Sequence, residues 1–442
     1  MHKFVQGKLN RHLSRRQVLK GMAATSATLF LAACAPGAAP SGGGDDGGAS
    51  EPTEIVWHTR TGRNEEFYTG QAEIYHEVQD AIRVKIEATP NAEYQQKLAT
   101  LAAGAELGDS YWGNVFGQLY PFASAGIALD VTPLLEADPW WDADNYFSIG
   151  IEQITVDDKL IGLPMSGHPG WTTLYTNVTA MEEKGLPLPE WEWSYQDPWL
   201  DVMKEATSEE QFGYMFDYNA QNTYNFIRSW GGDWVDEERK QSTLLSDEAV
   251  DAMAFMRSLV EEHGVSPTRE QIVNDAFLNE FTATWSHGIW YYGTGLRTIE
   301  DKFEWRGFPV PSGPGGQRGS FIGCDTFCIN SQGDNIDAAF EWGKFLMSKE
   351  ARLAAVKGGA PAPFLKEAWE DPFLSEDPTF QAMLQWLEVA QPWSVPANAR
   401  ALEFRNTFNQ AISVVLDPDA DFMGELENLN AAIQGVLDKP TI

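Results

Sequence analysis

Aromatic side chains are the residues of this sequence best suited to contact a ligand, and they stand out more than nucleophiles or metal ligands do. The chain contains 17 tryptophans among its 442 residues. An indole offers a large apolar face and keeps one N–H donor. An excess of indoles beyond the needs of a core indicates binding of flat ligands, sugars among them.

Motifs for a resident metal ion are missing from the sequence. The 7 histidines and 3 cysteines form no His-x-x-x-His or Cys-x-x-Cys pair. Alternating carboxylates occur at 417–421, but Phe422 and Met423 follow where a calcium loop needs glycine. Cys324 and Cys328 would lie beyond disulfide reach on a straight strand, so we expect two small buried residues unless a turn intervenes. We therefore predict no metal and no cofactor.

The net charge of the chain excludes several classes of partner. Lys and Arg number 31 against 64 Asp and Glu, which gives a formal charge of −33. Nucleic acids and anionic membrane surfaces are polyanions, so we predict that the chain binds neither of them. The same acidity weakly disfavours negatively charged ligands.

The amino terminus has the composition of an export signal. Residues 1–33 contain six basic residues and no acidic one, and their apolar run at 22–33 is too short to span a membrane. The segment SRRQVLK at 14–20 resembles a twin-arginine signal, with Val18 where phenylalanine is usual.

A lipid anchor is predicted directly after this signal. The sequence LAAC, which ends at Cys34, resembles a bacterial lipobox. That resemblance implies cleavage before Cys34 and diacylglycerol on its sulfur, and two acyl chains hold a protein stably on a membrane. Residues 34–53, rich in Gly, Pro, Ser and Ala, are predicted to be a flexible tether. We expect the globular part to lie outside the membrane.

Apolar periodicity predicts how the globular part is built. The patterns indicate strands at 54–58, 82–88 and 109–116, with helices at 65–79 and 92–103 between them. Strands that alternate with helices predict βαβ units and a parallel sheet.

Later segments are predominantly helical. Ser246 is a predicted helix cap, and Gly264 is the predicted end of that helix. A second apolar stripe predicts a helix at 336–347, and helices broken by prolines are expected from about residue 349 onward. Composition gives 43% hydrophobic and 12% aromatic residues, which excludes disorder for most of the chain, and the length suits two or three domains.

Several segments in order resemble one known family. The resemblance is to the extracellular solute-binding proteins of ABC importers, the family that includes maltose-binding protein. It rests on these segments: KLIGLP at 159–164, LYTN at 174–177, GLP at 185–187, SAGIALD at 124–130, TPL at 132–134, WGGD at 230–233 and AAFEWGKFLMS at 338–348. Thr176 and Thr179 depart from the family pattern.

The resemblance implies an α/β fold, the two-lobe periplasmic-binding-protein fold of type II. The ligand cleft would lie between lobes that are joined by hinge crossovers. The hinges would lie near 166–170 and 310–314, where prolines and glycines cluster. The implied lobe boundaries are 54–167 with 309–348 for lobe 1, and 168–308 with 349–442 for lobe 2.

Ligand contacts in lobe 1 follow from a rule for parallel sheets. Such sheets bind ligands at the loops that follow the carboxyl ends of their strands. The sugar-binding relatives place polar contacts after the first strand and a stacking aromatic near the third. The candidates selected in this way are Thr59, Arg60, Thr61, Tyr111, Trp112 and Asn114.

Ligand contacts in lobe 2 come mainly from the resemblance. It implies a stacking aromatic at Trp290, directly after a predicted strand. In lobe 1 it also implies a backbone or acidic contact at Asp325, which we expect in a glycine-rich return. The other candidates are Trp171, Asp217, Tyr218, Asn219, Trp230 and Tyr291, with His168 and Trp393 as secondary ones.

The function implied is capture of a sugar or oligosaccharide and its delivery to an ABC permease, by a monomer without catalytic activity. Polyamine binding in an acidic, aromatic cleft is an alternative. Ferric-ion binding through Tyr291 and Tyr292 is another, although alternation along a strand would turn one of them into the core. A secreted glycoside hydrolase remains a third alternative, which would need two carboxylates at a set separation.

Overall fold

The structure of the chain is a computed structural model. This structure describes residues 51–169, 173–319, 321–396, 398 and 400–440. The predicted export signal and the predicted lipid-modified Cys34 lie outside the described residues.

Two mixed β-sheets organise the described chain. In chain order the strands are β1 (Thr53–Arg60), β2 (Ile82–Thr89), β3 (Ser110–Gly113), β4 (Thr155–Val156), β5 (Lys159–Leu160), β6 (Leu163–Pro169), β7 (Thr173–Asn177), β8 (Phe212–Phe216), β9 (Thr282–His287), β10 (Trp305–Pro309), β11 (Phe321–Ile329) and β12 (Gln391–Pro392). The first sheet has the order β12-β11-β3-β1-β2, with β6 also paired to β11, and the second has the order β10-β7-β9-β8. Strands β4 and β5 form a separate hairpin.

Helices cover both sheets and dominate the last third of the chain, as predicted. They are α1 (Arg63–Val78), α2 (Asn91–Ala103), α3 (Tyr120–Ser124), α4 (Thr132–Ala137), α5 (Ser148–Gln153), α6 (Val178–Glu183), α7 (Trp199–Ala206), α8 (Ala220–Ser229), α9 (Asp247–Glu261), α10 (Tyr291–Thr298), α11 (Ile336–Leu346), α12 (Lys349–Lys357), α13 (Pro372–Ser375), α14 (Pro378–Val389), α15 (Ala401–Val415) and α16 (Phe422–Leu437). No helix of the described residues has both the length and the apolar composition needed to cross a membrane.

The predicted βαβ units are confirmed at the start of the first sheet. Strand β1 pairs in parallel with β2 and with β3, and helices α1 and α2 form the two crossovers. The parallel pairing predicted for these strands is therefore present, but the complete sheet is mixed, because β11 pairs antiparallel with both β3 and β6. Strand β11 returns from the second sheet and therefore enters the first one from the opposite end.

The predicted glycine-rich return around Asp325 is part of a regular strand instead. Residues 323–325 lie inside β11 and pair with β6, and the register shifts between Asp325 and Thr326. Cys324 and Cys328 lie on the same strand as free, buried cysteines, which confirms the expectation of two unbonded thiols. Burial raises the pKa of both thiols.

Most of the tryptophans serve the core. Nine of those that the structure describes are buried, and Trp57, Trp199 and Trp342 are wholly inaccessible to solvent. Trp57, for example, stacks on Phe327 with ring centroids 4.6 Å apart. The number of tryptophans therefore reflects a core rich in aromatics more than it reflects a ligand site.

The chain crosses between the two sheets at four places in the described sequence. It leaves the first sheet after β6, returns to it between β10 and β11, leaves it again between β11 and α14, and reaches β12 from α14. Helix α14 belongs beside the second sheet, since the Oγ1 of Thr379 accepts a hydrogen bond from the Gly307 amide.

The second crossing packs closely on helix α8. The Gly319 amide donates a 2.7 Å hydrogen bond to the Oγ of Ser229. A Cβ at Gly319 would lie 1.7 Å from the carbonyl oxygen of Asn225, and one at Gly313 would lie 1.9 Å from that of Ser229. Only glycine permits this approach, so the crossing at 310–319 is held firmly on the second lobe.

Candidate functional site

A cavity of about 630 Å³ lies between the two sheets. Its volume is within the range of small-molecule sites, roughly 300–1,000 Å³. One wall comes from the ends of β1 and β3, from β11 and from the first turns of α1 and α2. The opposite wall comes from the first turn of α8 and the residue that precedes α10, and helix α15 contributes a third side.

Arg60 and Trp112 form one unit on the first wall. The Cζ of Arg60 lies 3.6 Å from the centroid of the Trp112 ring, and its Nη1 donates to the Oδ1 of Asn91 at 3.4 Å. Trp112 is only 3% exposed. The indole face that the resemblance assigned to a sugar is therefore covered by a guanidinium, and Trp112 orients Arg60 toward the cavity.

Arg63 and Asp325 lie deeper on the same wall. The Nη1 of Arg63 donates to the carbonyl oxygen of Gly359. Burial lowers the pKa of the Arg63 guanidinium, and the negative charge of Asp325 opposes that effect. Nearby Tyr68 is enclosed by the same packing, and burial raises its pKa to about 12. The wall is thus polar and partly shielded from water.

Trp290 presents an indole from the second wall. It is the residue before α10, and it follows β9 after a short turn, as the resemblance implied. Its ring lies edge-on to that of His287 at 5.4 Å. His287 in turn contacts Asp217, with 2.8 Å between Nδ1 and Oδ2. Asp217 therefore supports the wall from behind and does not line the cavity.

Gly288 provides the space that the Trp290 indole occupies. A Cβ at Gly288 would lie 1.9 Å from Cζ3 and 2.0 Å from Cη2 of Trp290. We expect Gly288→Ala to push the indole out of its position and to lower affinity for the bound solute by about 10-fold or more, or about 1.4 kcal/mol. Titration calorimetry measures the change. Gly70→Ala is the matched control, since no atom lies within 4 Å of its added methyl group. Equal affinity in the two variants would contradict the role given to Gly288.

The third side of the cavity comes from Trp393, Arg405 and Asn406. Trp393 stacks on Tyr224 with centroids 5.3 Å apart and is 2% exposed, so only a small part of it faces the cavity. Arg405 and Asn406 line the cavity from α15. Burial lowers the pKa of Arg405.

The structure brings six of the predicted contacts to the cavity: Arg60, Trp112, Asn114, Trp290, Asp325 and the secondary candidate Trp393. Alternation along the strands explains why two of the lobe 1 candidates are not among them. Thr59 and Tyr111 are completely buried, because neighbouring residues of a strand point to opposite faces of the sheet.

The remaining candidates of the second lobe lie elsewhere. Tyr218 donates a hydrogen bond to the carbonyl oxygen of Pro267, and Asn219 caps α8. Trp230 packs on Phe255 at 4.9 Å. Tyr291 lies edge-on to Tyr175 at 5.2 Å, in the first turn of a helix and not in the strand on which the argument against a tyrosine pair relied. Trp171 lies outside the described residues.

Several lining residues escaped prediction although a simple signal marks them. Arg63, Asn91 and Gln221 lie in the first turn of a helix that follows a strand, and Gln95 lies at the start of the second turn. The rule for strand ends, extended into the first residues of the following helix, would have found them. No local pattern marks Arg405 and Asn406, because only tertiary packing carries α15 to the cavity.

The fold and the site together define a class of protein. Two α/β lobes, crossed repeatedly by the chain and enclosing a polar and aromatic cavity, form the two-lobe periplasmic-binding-protein fold. The chain belongs to the bacterial extracellular solute-binding protein family, whose pattern matches residues 71–382. No protein of curated function matches this sequence.

Solved structures of sugar-binding proteins share this fold. The substrate-binding protein Lmo0181 of Listeria monocytogenes, in complex with cycloalternan, is 19% identical with a TM-score of 0.76, over 88% of this chain and 100% of that one. The GacH receptor of Streptomyces glaucescens, studied with acarbose, is 18% identical with a TM-score of 0.76, over 88% of this chain and 99% of that one. Maltose-bound MalE3 of T. maritima is 20% identical with a TM-score of 0.73, over 87% of this chain and 100% of that one.

Proposed function

We propose that this protein captures a carbohydrate in the cavity between its lobes and delivers it to an ABC permease. The observation that carries the proposal is the lining itself. The indole of Trp290 offers an apolar face for the C–H side of a sugar ring. Asn91, Gln95, Asn114 and Gln221 surround it with amides that can bind hydroxyl groups. The cycloalternan, acarbose and maltose complexes of proteins with the same fold support this choice.

The alternatives find less support in the same residues. A polyamine needs several carboxylates, whereas Asp325 is the single acidic side chain among the described residues of the lining. A glycoside hydrolase needs a pair of them. The hydroxyl of Tyr292 donates to Asp377, away from the cavity, which disfavours a ferric site built on the tyrosine pair.

A binding experiment that also detects cleavage tests the proposal. The purified full chain is titrated with a panel of mono- to tetrasaccharides, with spermidine and ferric citrate as competing candidates. We expect a saccharide to stabilise the folded protein by mass action and to be recovered unchanged on chromatography. Binding of spermidine or iron without any saccharide would overturn the carbohydrate assignment. Cleavage that disappears in Asp325→Asn would favour a hydrolase.

The lobe boundaries and the oligomeric state belong to the same proposal. We propose that lobe 1 comprises 54–167 and 309–348, and that lobe 2 comprises 168–308 and 349–442. Strand β12 is an exception to these ranges, because it pairs with β11 in the first sheet although its residues lie within 349–442. Closure of the two lobes around the sugar would occur at the crossovers, and one copy of the chain suffices because both walls come from the same molecule.

We further propose that the protein is held by a lipid at Cys34 on the outer face of the membrane. Cys34→Ser is expected to release the protein into the medium or to leave an unprocessed precursor, since a serine cannot accept the thioether-linked lipid. Membrane fractionation and the mass of the amino-terminal peptide measure the effect. A variant as firmly membrane-bound and as fully processed as the natural chain would exclude the anchor.

A further inference from the structure

The charge of the cavity lining is opposite to the charge of the whole chain. The chain carries a formal charge of −33. Among the described residues that line the cavity, Arg60, Arg63 and Arg405 contribute three guanidinium groups, and Asp325 contributes one carboxylate. The surface is therefore acidic, whereas the binding site is cationic.

Within the described residues, the hydrogen bonds of two of these guanidinium groups go to neutral oxygen acceptors. Arg60 donates to the amide of Asn91, and Arg63 donates to the carbonyl oxygen of Gly359. Neither forms an ion pair with a carboxylate of the described residues. The Nε of Arg60 is buried and has no hydrogen-bond partner within the described part of the chain. These two side chains therefore retain unused capacity for an anion.

The two charges also act on each other. Burial lowers the pKa of the Arg63 guanidinium, the negative charge of Asp325 opposes this effect, and the positive charge of Arg60 adds to it. A neutral ligand that displaced water from both guanidinium groups would leave two positive charges facing the single carboxylate of Asp325 in the described lining, and this excess of desolvated positive charge is costly. An anionic group between them would reduce both the repulsion and the desolvation cost.

Backbone dipoles add to the positive potential of the cavity. Helices α1, α2, α8 and α10 all begin at its walls, through Arg63, Asn91, Gln221 and Trp290. The amino-terminal end of a helix carries a partial positive charge and free N–H donors. The Ncap residues of α1 and α2, Gly62 and Pro90, supply no side-chain cap.

We propose that the preferred ligand is an acidic saccharide, a sugar with a carboxylate or sulfate group that binds between Arg60 and Arg63 while its ring contacts Trp290. This inference rests on the proposed function and names its substrate class. A planar guanidinium donates two parallel hydrogen bonds to carboxylate or sulfate oxygens, which favours this pairing over a neutral hydroxyl.

The acidity of the outer surface does not oppose such a ligand strongly. Charges on the surface are screened by salt beyond about 8 Å at physiological ionic strength. Charges inside a partly dry cavity act at short range and through a lower effective dielectric constant. The local cations therefore determine which ligand is held, and the surface charge mainly slows its approach.

Matched sugar pairs test the inference on the purified full chain. The probes are di- to tetrasaccharides of galacturonic and glucuronic acid, each with its carboxyl-reduced neutral counterpart, and sulfated disaccharides with their unsulfated forms. Calorimetry is run at low and at high salt on the natural chain and on Arg60→Gln and Arg63→Gln. Arg83→Gln is the control for loss of one positive charge, because Arg83 lies outside the cavity and pairs with Asp80.

We expect at least one acidic sugar to bind about 10-fold or more tightly than its neutral counterpart, with an advantage that shrinks at high salt. Each cavity variant should lower acidic affinity by about 10-fold, as for loss of a hydrogen bond to a charged group, and should leave neutral affinity within about 3-fold. Neutral sugars that bind as tightly as acidic ones would overturn the inference and leave the proposed function intact. Binding of no sugar at all would overturn both. Preference for uronates or for sulfates identifies the anionic group.

Discussion

Replacement of Trp290 by alanine is expected to weaken sugar binding by at least about 30-fold. The indole lines the cavity from the second lobe, where Gly288 leaves space for its ring and His287 supports its edge. Loss of a central aromatic anchor typically costs about 2 kcal/mol or more, which corresponds to that change in affinity. Titration calorimetry on the sugar identified by the panel measures it.

Two controls separate a ligand contact from a structural role for this residue. Trp290→Phe keeps an aromatic face and should recover part of the affinity. Trp140→Ala removes a half-buried indole that packs on Phe340, outside the cavity, and should leave affinity unchanged. Unchanged binding by Trp290→Ala, together with a fall in stability of about 3–5 kcal/mol, would instead place Trp290 in the core.

Replacement of Trp234 by alanine is expected to lower the free energy of unfolding by about 3–5 kcal/mol. Its side chain has no solvent exposure, and its ring stacks on Tyr224 with centroids 4.1 Å apart. Its Nε1 donates a 2.7 Å hydrogen bond to the carbonyl oxygen of Ser394. The ring also lies 5.5 Å from that of Trp393, so the variant should disturb the third side of the cavity as well.

Denaturant unfolding, with and without the bound sugar, measures this prediction. Trp234→Phe keeps one aromatic ring but loses the hydrogen bond and part of the buried ring volume, so it should cost less than the alanine variant. A loss below about 1 kcal/mol in Trp234→Ala would show that the cluster repacks around the missing ring. It would also remove the structural link between Trp234 and the cavity wall.

Several local elements of the fold could be predicted from the sequence because local patterns determine them. The helix predicted at 92–103 is observed as Asn91–Ala103, and the strand predicted at 82–88 as Ile82–Thr89. Ser246 accepts the capping hydrogen bond from Ala249, as its position predicted. Periodicity, caps and turn residues act over a few positions, so the sequence alone contains this information.

The same reasoning from local patterns identified only part of the binding site. Ends of parallel strands pointed to Arg60 and Asn114, and the family resemblance pointed to Trp290. Thr59 and Tyr111 were included as well, because a loop predicted at the strand end gives no indication of which side chain faces the cleft. Their burial follows from the extension of β1 to Arg60 and from the position of Tyr111 within β3.

Tertiary structure alone decided the chemistry of the cavity. Composition predicted an acidic protein with more tryptophans than its core needs. Nine of the tryptophans that the structure describes are buried, however, and the described lining of the cavity has more arginines than acidic residues. Arg405 is more than three hundred residues from Arg60 in the chain, and only the packing of α15 between the lobes brings the two to one cavity. Net charge and residue counts are sums over the whole chain. The chemistry of a binding site depends on which few of those residues line the same cavity, and long-range packing determines which residues these are.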